Sequence, residues 1–461
     1  MAVKALVLAA GAGTRMKSNA PKVLYDLAGL PLLEWVLSAI DPLALDETVV
    51  VVGHGAPEVE KVLPAGVVAR LQEQQLGTGD AVRAGVTGMD LDGNALLVLP
   101  GDMPLLTGST MRRLLETHEG GNAAATVLIA EVDHSDFGRI IRNQDGDLVR
   151  IVEVRDAVPE EISVREVNGG VYVFDGDLLG EALDKLTTEN AQGEYYLTDV
   201  IGLLVEAGHK VETVTTDAVE LTGVNSHQQL AEAARLIRNR INERWMSEGV
   251  WMQDPGRVYI GARVELSPGV RIFPDVHLEG TTEVGSDSVL GPDVYALDTH
   301  IGVGSRVWYS VLRASAVGDG AEVGPYASLR PGSVLEARSK LGTFVETKNT
   351  RLGEGAKVPH LAYMGDADIG ARANVGAGSI TCNYDGVSKY QTRIGERAFI
   401  GSDTMLVAPV TIGDDAFTGA GSVITHDVAP GSLAVERSEQ KEIRDYAARV
   451  EARKKKKQQG E

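Results

Sequence analysis

The sequence predicts an α/β domain with a mostly parallel sheet, joined by a long helix to a parallel β-helix. Up to about residue 225, short aliphatic runs alternate with amphipathic helical segments. After Pro255 the aliphatic residues instead recur with a period of six, and between these two parts residues 226–249 form one continuous helical pattern. Because the chain has 461 residues, two or three domains are expected.

The first part has the pattern of a sheet that is buried on both faces. Strands are predicted at residues 3–9, 48–52, 95–99 and 171–174, and an amphipathic helix at 32–40. Aliphatic strands that alternate with helices predict a mostly parallel sheet, whose ligands bind at the carboxyl ends of the strands. The connecting helix is predicted to bury one apolar stripe, formed by Leu230, Ala233, Ala234, Ile237 and Ile241.

The period of six predicts the β-helix. Its first register runs without a break through Ile260, Leu266, Ile272, Leu278, Val284 and Leu290, and the spacing resumes at 317–341 and at 394–424. A six-residue unit supplies one short strand and one corner, and three units close a triangular coil, so about ten stacked coils are expected. Where the register slips, we expect insertions at 347–368 and 381–393, and we expect the chemistry to lie there.

Charge and cysteine content limit the partners and the compartment. The formal net charge of −21 argues against binding to nucleic acid or to an anionic membrane. No segment approaches the roughly 20 apolar residues of a membrane span, and no signal peptide is recognisable. Cys382 is the only cysteine, so a reducing, cytoplasmic location is expected. The basic run from Lys454 to Lys457 is interpreted as a solvated, disordered tail.

A glycine-rich turn follows the first predicted strand. Residues 8–16 have the sequence LAAGAGTRM, and Pro21 and Lys22 follow shortly after. Small residues let backbone N–H groups approach phosphate oxygens, while Arg15 and Lys22 add positive charge. The turn is neither a dinucleotide-binding fingerprint, because Met16 stands where the third glycine belongs, nor a Walker A loop. Taken alone, it leaves nucleotide binding open.

These residues resemble the nucleotidyltransferase family that activates sugar 1-phosphates. The resemblance extends through the segments 75–79 (QLGTG), 99–105 (LPGDMPL), 137–140 (FGRI), 151–153 (IVE), 167–169 (VNG) and 223–225 (GVN). With the connecting helix and the β-helix included, nearly the whole chain resembles the bifunctional N-acetylglucosamine-1-phosphate uridyltransferase/glucosamine-1-phosphate N-acetyltransferase family. Pro100 and Gly101 differ from the pair that many members have before the aspartate, which puts only the local loop shape in doubt.

The resemblance implies an α/β nucleotidyltransferase (Rossmann-like) domain and a left-handed parallel β-helix (hexapeptide repeat). The expected divisions are a uridyltransferase domain at 1–227, a linker helix at 228–249, an acetyltransferase domain at 250–437 and a C-terminal tail at 438–461. Such enzymes acetylate glucosamine 1-phosphate with acetyl-coenzyme A. They then transfer UMP from UTP to N-acetylglucosamine 1-phosphate, release pyrophosphate and so make UDP-N-acetylglucosamine for bacterial cell envelopes. The family also implies a homotrimer.

For the uridyltransferase, the resemblance implies a Mg²⁺ ion held by Asp102 and Asn225. Carboxylate and amide oxygens are hard donors that suit this ion, which neutralises nucleotide phosphates. Taken alone, Asp102 is equally compatible with a helix cap, and Asn225 with a turn. The implied nucleotide- and sugar-binding residues are Leu8, Ala9, Ala10, Gly11, Arg15, Lys22, Gln72, Gly77, Thr78, Pro100, Gly101, Asp102, Gly138, Glu153, Asn168 and Asn225.

For the acetyltransferase, His360 is the predicted general base, because a neutral imidazole can accept a proton from an attacking amine. A lone histidine is more often structural, and the family match adds Glu346 as a residue that orients His360 or raises its basicity. The implied sugar-phosphate residues are Arg330, Lys348, Tyr363 and Asn374. The implied acetyl-coenzyme A residues are Ala377, Asn383, Tyr384, Ser402, Ala420 and Arg437, with the arm at 383–384 reaching a neighbouring subunit.

A second interpretation keeps the nucleotidyltransferase but makes the β-helix a structural, oligomerising or regulatory module. The cluster of Arg330, Lys348, His360 and Tyr363 argues against it, because a rod needs none of these residues. Cys382 beside the arm is not expected to act as a nucleophile, since direct attack by the amine needs no acyl-enzyme.

Overall fold

A computed structural model describes residues 2–11, 13–17, 20–133 and 136–459. The chain divides into two compact units, one made of Met1–Arg244 with Ile260–Ala262 and the other of Trp245–Tyr259 with Arg263–Glu461. Among the described residues, no helix has the length and apolar character needed to cross a membrane.

The first unit contains eleven strands and most of the long helices. Its strands are β1 (Val3–Leu8), β2 (Asp26–Leu27), β3 (Leu30–Pro31), β4 (Glu47–Val52), β5 (Val67–Leu71), β6 (Ala95–Pro100), β7 (Ala125–Glu131), β8 (Arg139–Arg142), β9 (Leu148–Val152), β10 (Glu166–Asp175) and β11 (Val211–Thr215). Its helices are α1 (Leu32–Ile40), α2 (Ala56–Glu60), α3 (Thr78–Val86), α4 (Gly108–Gly121), α5 (Pro159–Ile162), α6 (Gly176–Asp184), α7 (Thr198–Glu206) and α8 (His227–Ser247), which continues into the second unit. Short 3₁₀ turns lie at Thr14–Met16, Lys22–Leu24, Asp41–Leu43 and Ala218–Leu221.

The sheet of the first unit has the order β11-β7-β10-β6-β1-β4-β5, with β8 and β9 attached beside β10. Strands β5, β4, β1 and β6 are parallel to one another, as predicted, whereas β10 runs antiparallel to both β6 and β7. The strand predicted at 171–174 therefore exists but interrupts the parallel order.

Both faces of this sheet are buried, which explains its continuous aliphatic runs. Ala5 and Val7 of β1 point into a core that also contains residues of α1, α2 and α4. Leu6, between them, points into the opposite core, which is closed by α3, α6 and α7. The period of two along each strand thus fills two separate cores.

Helix α8 packs on the first unit through part of its predicted stripe. Ala233 and Ile237 are fully buried with Leu32 and Leu105, and Leu230 and Ile241 are partly buried beside them. Ala234, however, is exposed, and Leu236 contacts this cluster instead. The prediction was wrong at this one position of the stripe.

The second unit is a parallel β-helix, as predicted. Its first sheet contains β12 (Trp251–Met252), β15 (Arg271–Ile272), β18 (Val289–Leu290), β21 (Arg306–Val307), β24 (Glu322–Val323), β27 (Lys340–Thr343), β30 (Lys357–His360), β33 (Asn374–Val375), β36 (Phe399–Ile400), β39 (Phe417–Thr418) and β41 (Leu433–Ala434). Its second sheet contains β13 (Val258–Ile260), β16 (Val276–Glu279), β19 (Val294–Leu297), β22 (Ser310–Arg313), β25 (Ser328–Leu329), β28 (Glu346–Lys348), β31 (Tyr363–Gly365), β34 (Ile380–Cys382), β37 (Met405–Val407) and β40 (Val423–Ile424). Its third sheet contains β14 (Glu265–Leu266), β17 (Glu283–Val284), β20 (His300–Ile301), β23 (Ala316–Val317), β26 (Val334–Leu335), β29 (Arg351–Leu352), β32 (Ala367–Ile369), β35 (Thr392–Ile394) and β38 (Val410–Ile412).

The sheets have eleven, ten and nine strands, which confirms the expectation of about ten coils. All aliphatic positions of the three predicted registers are buried. Glycine often follows such a position because the next coil is very close. A Cβ atom at Gly353 would lie 2.6 Å from the backbone nitrogen of Ala371, and one at Gly370 would lie 2.5 Å from that of Glu396.

The slips in the register have a different origin from the one expected. Leu266 pairs with Val284 across a full coil of eighteen residues, but Thr347 pairs with Met364 across only seventeen. The stretch 347–368 is thus a regular coil with one corner shortened, and the prediction of an insertion there was wrong. The second predicted insertion is real, because Ile369 pairs with Ile394, twenty-five residues further on.

The basic run near the C-terminus lies in a helix, α9 (Tyr446–Gln458), none of whose residues is buried. The exposure of this run to solvent was predicted correctly. The predicted disorder was wrong, because the run is helical.

Candidate functional sites

A cavity of about 530 Å³ opens at the carboxyl ends of β1 and β6 in the first unit. Most of the residues expected to bind nucleotide and sugar line it: Leu8, Ala9, Ala10, Gly11, Lys22, Gln72, Gly77, Thr78, Pro100, Asp102, Gly138, Glu153, Asn168 and Asn225. Arg15 and Gly101 are not among its lining residues. Arg15 is exposed, and Gly101 is buried behind the wall, where its N–H donates to the Leu8 carbonyl at 2.8 Å.

Three polar side chains meet at one point of this cavity. The Lys22 ammonium donates to Asp102 Oδ2 at 2.5 Å and to Asn225 Oδ1 at 2.6 Å. The side chains of Lys22 and Asp102 are each only 14% exposed. The residues proposed to hold a metal therefore converge, although they are separated by more than one hundred positions in sequence.

Backbone and side-chain hydrogen bonds fix the segments that place Asp102 and Asn225. The Val224 N–H donates to the Asp102 carbonyl at 2.9 Å, which ties the two segments directly together. In the turn Ala218–Leu221, the Glu220 carboxylate accepts from the Thr107 N–H at 3.0 Å and from the hydroxyls of Thr110 and Thr216, each at 2.9 Å. This braced turn thus sets the separation between Asp102 and Asn225.

The oxygens of Asp102 and Asn225 fit a divalent cation that prefers oxygen donors. They are hard ligands, and both already contact one positive charge, the Lys22 ammonium. Across the residues that the structure describes, no group of three or more His, Cys, Asp or Glu side chains could hold a metal. An ion at Asp102 and Asn225 would therefore need substrate or water oxygens to complete its shell.

One wall of the cavity is formed by the segment before α3. The Gln72 amide donates to Asp80 Oδ2 at 2.7 Å, and the Gln75 amide donates to the Ala10 carbonyl at 2.7 Å, which ties this wall to the glycine-rich turn. Gly77 has φ +113°, and a Cβ there would lie 2.6 Å from the Tyr195 carbonyl oxygen. Glycine is required at this position both by the backbone conformation and by the close approach.

The opposite wall contains Glu153 and Asn168. Burial raises the pKa of Glu153, an effect that is partly offset by a hydrogen bond from the Thr198 hydroxyl at 3.2 Å. The Asn168 amide donates to the Tyr172 hydroxyl at 2.7 Å, and its Oδ1 accepts from the Gly170 N–H at 3.1 Å. Burial also raises the pKa of Tyr172 well above its ordinary value. This wall therefore presents polar groups that are mostly shielded from water.

Several lining residues were not predicted as site residues. Four of them lie inside motifs already quoted from the sequence: Gln75, Phe137, Gly169 and Gly223. These motifs could therefore have identified them as site residues. Asp136, Glu194 and Thr198 also line the cavity, but they belong to loops and a helix start without a recognisable pattern.

In the β-helix, Arg330 and Lys348, two of the four residues predicted for the sugar phosphate, belong to one polar cluster on neighbouring coils. Arg330 donates to Glu346 Oε1 at 3.0 Å, and Asn383 donates to Asp366 Oδ2 at 2.5 Å. The nearby Lys389 ammonium lowers the pKa of Lys348, so two cations lie side by side. Lys389 and Asp366 were not predicted as site residues, although they lie within the stretches 381–393 and 347–368, where the chemistry was expected.

The Asp366 carboxyl balances these cations. Burial raises its pKa, but hydrogen bonds from Asn349 and Asn383 and the charge of Lys348 outweigh that effect and lower the pKa below its usual range. The cluster therefore combines a carboxyl that loses its proton readily with the neighbouring cations Lys348 and Lys389.

His360 is the last residue of β30 and is exposed. It pairs in register with Thr343 of the coil below, and Tyr363 begins the next strand, β31, after one corner. Within the described residues, no hydrogen bond joins His360 to Glu346, whose partner is Arg330. The expected orientation of His360 by Glu346 is therefore absent from this structure.

Four of the six residues predicted for acetyl-coenzyme A, namely Ala377, Ser402, Ala420 and Arg437, follow one corner of successive coils. The Ala377 carbonyl accepts from the Asp403 N–H at 2.7 Å, and the Ser402 carbonyl accepts from the Gly421 N–H at 2.8 Å. Arg437 donates to the Ala420 carbonyl at 3.0 Å, one coil further. Asn374 begins β33, one coil above Lys357. The predicted residues thus form a line along the corner rather than a pocket.

The arm is the real insertion at 381–393. It folds back on itself through a bridge between Tyr384 and Lys389, and Asp385 Oδ1 closes its turn by accepting from the Val387 and Ser388 N–H groups at 2.8 and 2.7 Å. Tyr384 is 59% exposed and Val387 is 89% exposed. An ordered arm thus presents apolar side chains to solvent.

Comparison with known proteins assigns a class to each unit. A family model described as a MobA-like NTP transferase domain matches residues 5–160, and one described as a bacterial transferase hexapeptide (six repeats) matches residues 391–426. The class defined by fold and site is therefore a transferase with a nucleotidyltransferase domain and a hexapeptide-repeat β-helix.

The chain belongs to the family of the bifunctional protein GlmU. It is 48% identical over 453 residues to that protein from Streptomyces avermitilis, which covers 96% of this chain and 94% of the relative. It is 45% identical over 445 residues to that from Desulfitobacterium hafniense, covering 96% and 98%. A solved structure of UDP-glucose pyrophosphorylase complexed with UDP-glucose covers 52% of this chain and 100% of its own, with 17% identity and a TM-score of 0.44.

The raised pKa of Glu153 predicts a pH dependence of stability. As pH rises, the unfolded state loses this proton first, so the stability of the fold falls between the ordinary pKa of 4.5 and the raised pKa, and it stays lower above that range. Glu153→Gln, which never ionises, should therefore gain stability relative to wild type at about pH 7 compared with about pH 4.

The measurement is the thermal midpoint of the first unit at both pH values. Glu181→Gln, at an exposed position of α6, is the matched control. If the difference in thermal midpoint between Glu153→Gln and wild type does not change with pH, the raised pKa of Glu153 is contradicted.

Proposed function

We propose that this chain catalyses two successive transfers that make UDP-N-acetylglucosamine, a precursor of bacterial peptidoglycan and lipopolysaccharide. The β-helix acetylates glucosamine 1-phosphate with acetyl-coenzyme A. The α/β unit then transfers UMP from UTP to N-acetylglucosamine 1-phosphate and releases pyrophosphate. The observation that best supports this proposal is the meeting of Lys22, Asp102 and Asn225 in a cavity lined by the other predicted residues.

In the proposed uridyl transfer, an oxygen of the sugar phosphate attacks the α-phosphorus of UTP, and pyrophosphate leaves without a covalent enzyme intermediate. Mg²⁺ held by Asp102 and Asn225 supplies charge neutralisation for the phosphates when it is bound. The small residues 8–11 let the backbone approach the triphosphate, and Lys22 adds a mobile positive charge. Glu153 and Asn168 hold the sugar opposite the base, so positioning and electrostatics account for catalysis.

In the proposed acetyl transfer, the amine of glucosamine 1-phosphate attacks the thioester carbonyl and coenzyme A leaves as the thiol. His360 accepts the proton that the amine loses. Arg330 and Lys348 bind the phosphate, and the line of Ala377, Ser402 and Ala420 supports the coenzyme. The exposure of His360 and of the cations is consistent with substrates that arrive from solvent.

We also propose that the active form is a cytoplasmic homotrimer. Both cosubstrates, UTP and acetyl-coenzyme A, are cytoplasmic metabolites. The arm presents Tyr384 and Val387 to solvent, where a neighbouring subunit can cover them. Light scattering that gives a stable and fully active monomer would contradict the trimer.

The alternative, a nucleotidyltransferase whose β-helix is only a scaffold, is not favoured. The relatives named bifunctional match 96% of the chain, which includes the β-helix. A purely structural role for the β-helix also gives no reason for two neighbouring cations, Lys348 and Lys389.

Replacement of Asp102 should separate the two activities. Asp102→Ala removes the only carboxylate of the proposed metal site, so pyrophosphate release should be abolished while release of the coenzyme A thiol stays near wild type. Both products are measured on the full chain. Asp145→Ala, at an exposed turn of the same unit, is the control. Equal loss of both activities would argue against two independent sites.

Replacement of His360 should have the reverse effect. His360→Ala should lower acetyl transfer by roughly 10²–10⁴-fold, the usual contribution of a general base. Uridyl transfer to ready-made N-acetylglucosamine 1-phosphate should hardly change. His300→Ala, another exposed histidine of the β-helix, is the matched control. A folded His360→Ala protein with undiminished thiol release would show that His360 is structural.

A further inference from the structure

Lys22 occupies the position between the two oxygens that are proposed to hold the metal. Its ammonium lies 2.5 Å from Asp102 Oδ2 and 2.6 Å from Asn225 Oδ1. Mg²⁺ binds oxygen ligands at about 2.0–2.1 Å. An ion bound to both oxygens would therefore lie almost at the place of the Lys22 nitrogen. The two cations exclude one another by volume as well as by charge.

The course of the lysine stem shows where the ammonium can go. A Cβ atom at Gly13 would lie 3.0 Å from Lys22 Cβ and 3.6 Å from its Cδ, so the stem runs directly beside the glycine-rich turn. Lys22 also lines the same cavity as Leu8, Ala9 and Gly11 of that turn. Rotation about the side-chain bonds moves the ammonium toward this turn while the backbone stays in place.

We propose that Lys22 and the divalent cation exchange at the Asp102–Asn225 pair, and that the triphosphate drives the exchange. Without nucleotide, Lys22 neutralises Asp102 and keeps the metal out. With nucleotide, the phosphates bind the Lys22 ammonium, and the freed oxygens bind the metal. This inference rests on the proposed uridyltransferase function and adds an order to it, because the metal then enters with its nucleotide.

The exchange explains why a lysine and not a neutral residue faces Asp102. A mostly buried carboxylate that loses its partner is strongly destabilising, so the site needs a cation at every stage. Lys22 supplies that charge before the nucleotide binds, and the metal supplies it afterwards. The metal alone gains little, since it must displace an ammonium that already neutralises Asp102.

The test is a titration of the full chain with Mn²⁺, which accepts the same oxygen ligands, by electron paramagnetic resonance of the free ion. In the absence of nucleotide, Lys22→Gln should bind Mn²⁺ more tightly than wild type by roughly 5- to 150-fold, the usual range of coupling between two sites. Addition of α,β-methylene-UTP should tighten Mn²⁺ binding to wild type much more than to Lys22→Gln.

Three further variants make the outcome decisive. Lys17→Gln removes an exposed positive charge nearby without freeing the oxygen pair, so its Mn²⁺ affinity should match wild type. Asp102→Asn should bind Mn²⁺ no better than wild type without the analogue, and with the analogue it should hold no more Mn²⁺ than the same concentration of analogue binds alone. Lys22→Met, which keeps the stem length, replaces Lys22→Gln if that protein does not fold, as judged by circular dichroism.

Equal Mn²⁺ affinity in wild type, Lys22→Gln and Lys17→Gln would overturn the exchange. If Asp102→Asn loses the ion in that case, the metal site and the proposed function stand and only the exchange is wrong. If Asp102→Asn keeps the ion in the presence of the analogue, the metal assignment itself is wrong, and the exchange is wrong with it.

Discussion

The α/β unit depends on bringing Lys22, Asp102 and Asn225 to one point at the edge of its sheet. The contacts span 80 and 203 residues of sequence, so the whole parallel arrangement of β1, β4 and β6 must form before they exist. A carboxylate that is 14% exposed is costly without a cation beside it. That charge pair is held together by the glycine-rich turn, the braced turn at Glu220 and the start of α8.

The β-helix obeys a different constraint, which is the closure of each coil. The inward positions of each coil accept only aliphatic or small side chains. A corner can be one residue shorter while the coils still stack. Chemistry is therefore confined to the outer surface, where Arg330, Lys348 and His360 lie on neighbouring coils. The single long insertion at 381–393 extends this surface beyond the coil and presents exposed apolar groups. The β-helix thus provides a straight edge that suits the long cosubstrate proposed for it.

Much of this organisation follows from the sequence because it rests on local periodicity. The six-residue register predicted the buried column, and the strand at 3–9 with its glycine-rich turn predicted the place of the cavity. The antiparallel course of β10 could not be predicted, since strand direction depends on partners distant in sequence. The shortened coil at 347–368 was mistaken for an insertion because a missing corner residue and an added loop disturb the register alike. The pairing of Lys22 with both Asp102 and Asn225, and of Glu346 with Arg330, is likewise tertiary, so neither partner could be predicted from spacing.

The central claim is that one chain performs two transfers in a fixed order, acetylation first and uridyl transfer second. The most direct test is a ³¹P NMR time course of the full chain with glucosamine 1-phosphate, acetyl-coenzyme A, UTP and Mg²⁺. We expect N-acetylglucosamine 1-phosphate to appear first, followed by UDP-N-acetylglucosamine together with pyrophosphate. Formation of UDP-glucosamine before any acetylated sugar phosphate, or a sugar phosphate that is never acetylated, would contradict it.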